Sequence, residues 1–156
     1  MFTYRLNAGN LSESDEVERQ LHQQWKELFN YYFKKGEFVF ITYWEDFYIP
    51  TPNIEKLKNI AIDFSTNEVN QRVIKLPTSN EVNEYIVTGA TVHPEVLISY
   101  FHIDIRDNNG KRLFSSEDNG IVVLLEINED EINEFEKSNL QYSFIKLDPP
   151  VIDRFN

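Results

Sequence analysis

The chain has no cysteine at all. Thiol catalysis, cysteine-ligated zinc and a disulfide scaffold are therefore excluded. Histidine is almost as scarce. His22, His93 and His102 are the three in the chain, and no two stand at the spacing of metal ligands. With five glycines there is no Gly-rich phosphate loop, and no Gly-x-Ser-x-Gly nucleophile elbow occurs. No apolar run approaches the roughly 20 residues of a membrane span, and the opening "MFTYRLNAGN" does not read as a signal peptide. Base is in short supply too: 15 Lys and Arg face 26 Asp and Glu, a formal net charge of -11. A surface that negative repels nucleic acid and anionic membranes and favours encounter with basic proteins.

What is present is a core. Of the 156 residues, 41% are hydrophobic and 14% aromatic, enough for one domain spanning 1–156 that needs no metal or disulfide staple. "FTYRL" alternates as a short strand. In "SESDEVERQLHQQWKELFNYYFKKG" the residues Val17, Leu21, Trp25, Leu28, Phe29 and Tyr32 recur every three or four positions, an amphipathic helical stripe. Ser12 or Ser14 caps that helix, acids occupy its first turn, Lys34 and Lys35 its last, and Gly36 supplies a left-handed stop. Glu37 to Tyr43 reads as a central strand with two apolar faces.

"IEKLKNIAIDF" supports either a helix capped by Asn53 or a strand through Ile60, Ile62 and Phe64. "STNEVN" reads as a loop, "QRVIKL" as a strand, "PTSNEVN" as a loop and "EYIVTG" as a strand. "HPEVLISYFHIDIRD" reads as a turn and then a long strand. "DNNGK" and "EDNG" are two Asn-Gly turns, the second leading into a buried strand, Ile121 to Ile127. "NEDEINEFEKSN" is a short helix with Ile132 and Phe135 inward, and "QYSFIKL" a last strand. Pro149 and Pro150 stop it, and "VIDRF" forms a closing turn. The sum is an α+β fold: a long N-terminal amphipathic helix packed on a mixed, mostly antiparallel sheet of five to seven strands, with a short second helix near the C-terminus.

The chemistry-bearing residues are thin. His102 is the best general-base candidate, and Asp104, Asp107 and Asp118 could meet around a divalent ion. Asp107 and Asp118 serve equally well as turn formers. The most distinctive feature is acidic clustering. Glu126, Glu129, Asp130, Glu131, Glu134 and Glu136 precede the next base, Lys137. Asp130 and Glu134 are four apart on the short helix and repel. Glu117 and Asp118 are not needed for the reversal at Asn119-Gly120 and are expected to stand exposed at a loop tip.

Three stretches resemble an uncharacterised family of small acidic bacterial proteins encoded beside secreted polymorphic toxins, several of which are taken as immunity proteins. "FTYRL" with "VERQLHQQWKELFNYYFKKGEFVFITY" is similar to that family's opening strand, helix and aromatic strand. "SYFHIDIRDNNGKRLFSSEDNGIVVLLE" is similar to its hairpin and acidic motif. "EFEKSNLQYSFIKLDPPVIDRF" is similar to its closing helix, strand and tail, with Ile152, Asp153 and Phe155 in place. The family motif is Asp-Asp-Arg-Gly. Glu117, Asp118, Asn119 and Gly120 stand there in this chain, so a role for the arginine does not carry over. The family's tryptophan in the last strand is absent, with Ser143-Phe144 near that place. The resemblance implies no catalytic residue.

Charge and resemblance together lead to one expectation: a non-enzymatic, cytoplasmic immunity protein that blocks the positive cleft of a cognate basic toxin, for example a nuclease. It would need no cofactor or metal and would not bind nucleic acid or membranes directly. The expected contacts are Glu117, Asp118, Glu129, Asp130 and Glu134, with Trp44 or Tyr48 as aromatic anchors. Trp44 also fits a strand-end core position. Two alternatives stand beside this: a nucleic-acid mimic that blocks a DNA-binding protein, and a metal-assisted hydrolase built on Asp104, Asp107 and His102.

Overall fold

The computed structural model describes residues 2–6, 15–138, 140 and 142–148. The expected helix cap at Ser12 or Ser14, the proline stop and the closing turn of "VIDRF" lie outside them. In chain order the elements are β1 (Phe2–Leu6), α1 (Asp15–Lys35), β2 (Phe38–Tyr43), α2 (Ile54–Asn59), β3 (Asp63–Thr66) and β4 (Arg72–Pro77). Then come α3 (Asn80–Gly89), β5 (His102–Arg106), β6 (Arg112–Glu117), β7 (Val122–Ile127), α4 (Glu129–Glu136) and β8 (Phe144–Lys146). All eight strands form one sheet in the order β3-β4-β2-β5-β6-β7-β1-β8. Every neighbouring pair is antiparallel. The fold is α+β, but among the described residues the strands number eight rather than five to seven and the helices four rather than two.

Strand alternation sorts the sheet into two faces. One buried row runs across six strands: Leu76, Val39, Ile105, Phe114, Leu125 and Tyr4 are cross-strand neighbours in succession. α1 lies on this face. Trp25, Phe29 and Tyr32 surround the Phe114 ring at centroid distances of 6.1, 6.0 and 5.9 Å, and the Trp25 indole donates to Ser116 Oγ at 2.9 Å. α3 packs against α1 and α2, and α4 reaches α1 through Phe135, whose ring meets Tyr31 at 5.1 Å. The opposite face carries Phe40, Asp104, Ser115 and Leu124 as the next row.

Three local expectations are corrected. "NEVNEYIVTG", the end of the expected loop and the whole expected strand, is α3. Ser79 Oγ accepts from the Val82 N–H at 3.3 Å, and Val82, Ile86 and Gly89 form its buried stripe. The long strand after His93 is short. β5 begins only at His102, because residues 98–101 leave the sheet: Ser99 N–H donates to Ala90 O and Ile98 N–H to Asn119 O. Gly36 is not left-handed. It is needed for close approach, since a Cβ there would collide with the Ile105 side chain. The ambiguous "IEKLKNIAIDF" contains both elements, α2 and then the start of β3. Asn53 precedes α2 in the left-handed region (φ 55°) without capping it, and its amide donates instead to Tyr85 O at 2.9 Å.

Candidate functional site

The end of the sheet where β2 and β6 finish and β5 and β7 begin gathers several of the expected contact residues. The β6–β7 reversal uses three consecutive left-handed residues, Asp118 (φ 49°), Asn119 (φ 55°) and Gly120 (φ 84°). It is not a free tip. Asn119 is buried and tied on every side to the 98–101 segment. Its N–H donates to Phe101 O at 3.0 Å, its carbonyl accepts from Ile98 N–H at 2.9 Å, and its amide donates to Ile98 O at 3.0 Å. Asp118 is exposed beside it. Glu117 departs from the expectation of an exposed acid. It is half-buried on the sheet's second face, accepting from Ser115 Oγ at 3.0 Å and pairing with Arg112 at 3.4 Å.

Next to this turn lies a groove of about 460 Å³ between the start of α1, residues 94–97 and the turn itself. Val17, Leu21, Val96, Leu97 and Ile121 make its apolar wall, and Asp15, Glu18, Glu95 and Asp118 stand around it. Among the described residues no Lys, Arg or His lines it. The start of α1 is fastened to this region by His22, whose Nε2 lies 2.8 Å from Leu97 O. The loop after β2 meets the same end, because Phe47 contacts Phe101 at 6.1 Å between ring centroids. Trp44 is 39% exposed and Tyr48 70% exposed. A strand-end core place for Trp44 is therefore corrected: the chain turns away from the sheet just after Tyr43.

Glu129, Asp130 and Glu134 are elsewhere. α4 follows the far end of β7, so a whole strand length, about 17 Å at ~3.4 Å per residue, separates them from Asp118. Glu129 and Asp130 are exposed, and Glu134 forms an exposed pair with Lys137 at 3.7 Å. Their neighbour Glu131 is structural. Its carboxylate accepts from Asn128 N–H at 3.0 Å while Asn128 Oδ1 accepts from Glu131 N–H at 2.8 Å, a reciprocal cap. It also binds Lys35 and the Tyr31 hydroxyl. Partial burial pushes the Glu131 carboxyl up, but the Asn128 N–H and the Lys35 ammonium outweigh it and hold it below the usual range. Glu126 likewise has partners, accepting from Thr3 Oγ1 at 2.6 Å and facing Lys111 at 3.6 Å. The seven expected contacts thus fall into two separate regions.

The second face holds a polar cluster. His102 Nε2 lies 3.0 Å from Asp104 Oδ1 and 3.5 Å from Ser115 Oγ. Arg106 pairs with Asp104 Oδ2 at 3.3 Å. These residue types could suggest a Ser-His-Asp relay, but a relay uses one imidazole nitrogen for the hydroxyl and the other for the carboxylate. Here a single nitrogen faces both. Burial pushes the His102 imidazole down, but Asp104 outweighs it and leaves His102 above its ordinary value; burial pushes Asp104 up, but His102 outweighs it and leaves the carboxyl low. Asp107 does not join them. Its Oδ1 accepts from the Asn109 and Lys111 N–H groups, both at 2.9 Å, and closes the β5–β6 hairpin. His102, Asp104 and Asp107 therefore form no ligand set, and among the described residues no three His, Asp or Glu side chains are arranged to hold a metal ion.

Sequence reasoning missed Asp15, Glu18 and Glu95 as part of this region. The first two were accounted for by the helix dipole, and Glu95 by a turn. Ile121, expected to open the buried strand, is corrected too: β7 begins at Val122, and Ile121 stands 49% exposed before it.

Fold and site together define a two-layer α+β protein with an eight-stranded antiparallel sheet and an acid-rimmed groove at one end. Among the described residues no helix is long and apolar enough to cross a membrane. Compared with protein-family models, curated proteins and solved structures, the chain matches none.

Proposed function

We propose that the protein is a non-enzymatic binding protein that neutralises a cognate basic toxin in the cytoplasm, as an immunity protein. One observation carries the proposal. One end of the sheet carries Asp118 with an acid-rimmed apolar groove and, on the loop after β2, two exposed aromatic side chains, Trp44 and Tyr48, in a molecule of net charge -11. Opposite charge steers a basic partner to this end, and buried aromatic side chains hold it. The resemblance of the "SSEDNG" region and of the opening helix and strands to proteins encoded beside polymorphic toxins supports the same conclusion. α4 contributes through Glu129, Asp130 and Glu134 only to a partner wide enough to span both regions, or to long-range steering.

The test is co-expression with the product of the adjacent reading frame, followed by size-exclusion chromatography and an activity assay on that product. The expected result is a one-to-one complex in which the toxin is inactive. A toxin that stays active and elutes alone overturns the proposal.

A further inference from the structure

We infer that the groove between the start of α1 and the β6–β7 turn takes an extended peptide segment in which a Lys or Arg side chain stands beside an apolar one. This rests on the proposed binding of a basic partner and names the part of that partner the groove fits.

The apolar wall comes first. Val17, Val96, Leu97 and Ile121 are all left partly or fully exposed, around a concavity rather than scattered over the surface. Ile121 cannot turn inward, because Gly120 and Asn119 are already packed on Ile98 and the strand begins only at Val122. An apolar concavity of this kind gains by being covered.

The rim then selects the occupant. Asp15, Glu18, Glu95 and Asp118 come from three separate segments and are all exposed. A purely apolar segment would strip water from these carboxylates without returning a partner. A purely basic, polar segment would make only exposed, screened pairs of small value. A Lys or Arg side chain satisfies both requirements. Its aliphatic stem lies along Val17, Leu97 and Ile121 while its charged head reaches the rim, and the adjoining apolar side chain fills the rest. The sign of the rim rejects phosphate-bearing ligands.

The probe is the peptide acetyl-Gly-Leu-Arg-Leu-Arg-Gly-amide, titrated into the 15N-labelled full chain and followed by NMR. The expected result is saturable shifts centred on Val17, Val96, Leu97 and Ile121. Control peptides with both Arg replaced by Gln, or both Leu by Ser, are expected to bind at least five-fold more weakly. Asp118→Asn with Glu95→Gln is expected to weaken binding about two- to five-fold per carboxylate, and Ile121→Ala to weaken it without changing its salt dependence. Asparagine tolerates the left-handed backbone at 118, so the charge variant keeps the turn. Shifts that do not saturate, that centre equally on Glu129, Asp130 and Glu134, or that ignore these substitutions overturn the inference. The same variants in the toxin complex separate the two proposals. A complex insensitive to them sinks the groove and leaves the immunity function standing. Specific peptide binding with no toxin complex does the reverse.

Discussion

The two acid-bearing ends of the sheet look alike in composition and differ in what the acids do. At the α4 end, Glu131 closes a capping box and is shared by Lys35 and Tyr31, and Glu126 is held by Thr3 and Lys111. These carboxylates hold the molecule together. At the groove end, Asp15, Glu18, Glu95 and Asp118 surround an apolar hollow whose described lining holds no Lys or Arg, and of these acids Glu18 faces the His22 imidazole at 3.8 Å. The density of acids along the chain is therefore a poor guide to a binding surface. The richer cluster is the more structural one, and the proposed binding surface is assembled from acids far apart in sequence.

Four substitutions sharpen or break this contrast. The largest effect is expected at the hinge of the groove. Gly120 combines φ 84° with direct packing on Ile98, so Gly120→Ala adds backbone strain and a clash together. A loss of about 2–4 kcal/mol is expected in urea unfolding, and a stability like that of the parent would mean the turn is not the anchor described. Next comes Glu131→Gln at the other end. It weakens the cap and removes the charge facing Lys35, for about 1 kcal/mol. Because the Glu131 carboxyl is held low, its contribution is present above the ordinary carboxylate value of 4.5 and fades as pH falls through the folded value. The Gln variant should therefore unfold with a flatter acid dependence. An unchanged acid limb would show that Glu131 is as idle as its neighbours.

The third test concerns His102, on the second face near the groove end. Its imidazole is held above the ordinary value of 6.5, so the stabilisation it provides is complete below pH 6.5 and is lost as pH rises through the higher folded value. Asp104, held below 3.8, acts oppositely, stabilising above that value and losing its effect as pH falls further. His102→Gln should abolish the decline in melting temperature above pH 6.5 and, because His102 is what holds the Asp104 carboxyl low, should also change the acid limb. A decline that persists would assign it to another group. The smallest stability effect belongs to Asp118→Asn, within about 0.5 kcal/mol, with slower toxin association at low salt as its main consequence. A destabilisation as large as that of Glu131→Gln would erase the distinction between the two ends.

Much of the fold was legible because its signals are local. The Asn-Gly turns at 109–110 and 119–120, the strands β4 and β7 and the short helix carrying Ile132 all lie where residue chemistry placed them. α3 was not legible. "EYIVTG" has the composition of a strand, and only the hydrogen bond at Ser79 together with Val82 and Ile86 packing into the core makes it helical, a case of tertiary contacts overriding propensity. The segment 97–101 misled for the opposite reason. It alternates as a strand, yet Ile98 and Tyr100 are buried by leaving the sheet, because the chain finds its hydrogen bonds at Ala90 and Asn119 instead. Of the expected contacts, Asp118, Trp44 and Tyr48 stand exposed at the groove end, whereas Glu117 is tied to Ser115 and Arg112.

The amino-acid sequence by itself determined the excess of negative charge, the want of a thiol or a phosphate loop, and the places where the backbone must reverse. Those are properties of residues and their immediate neighbours. Which carboxylates are held and which stand free was decided only by the tertiary structure. It rests on whether a cation, a hydroxyl or a backbone N–H arrives within about 3 Å from a distant segment, and on whether the start of α1 closes around a common hollow with residues 94–97 and the β6–β7 turn, which lie far along the chain from it.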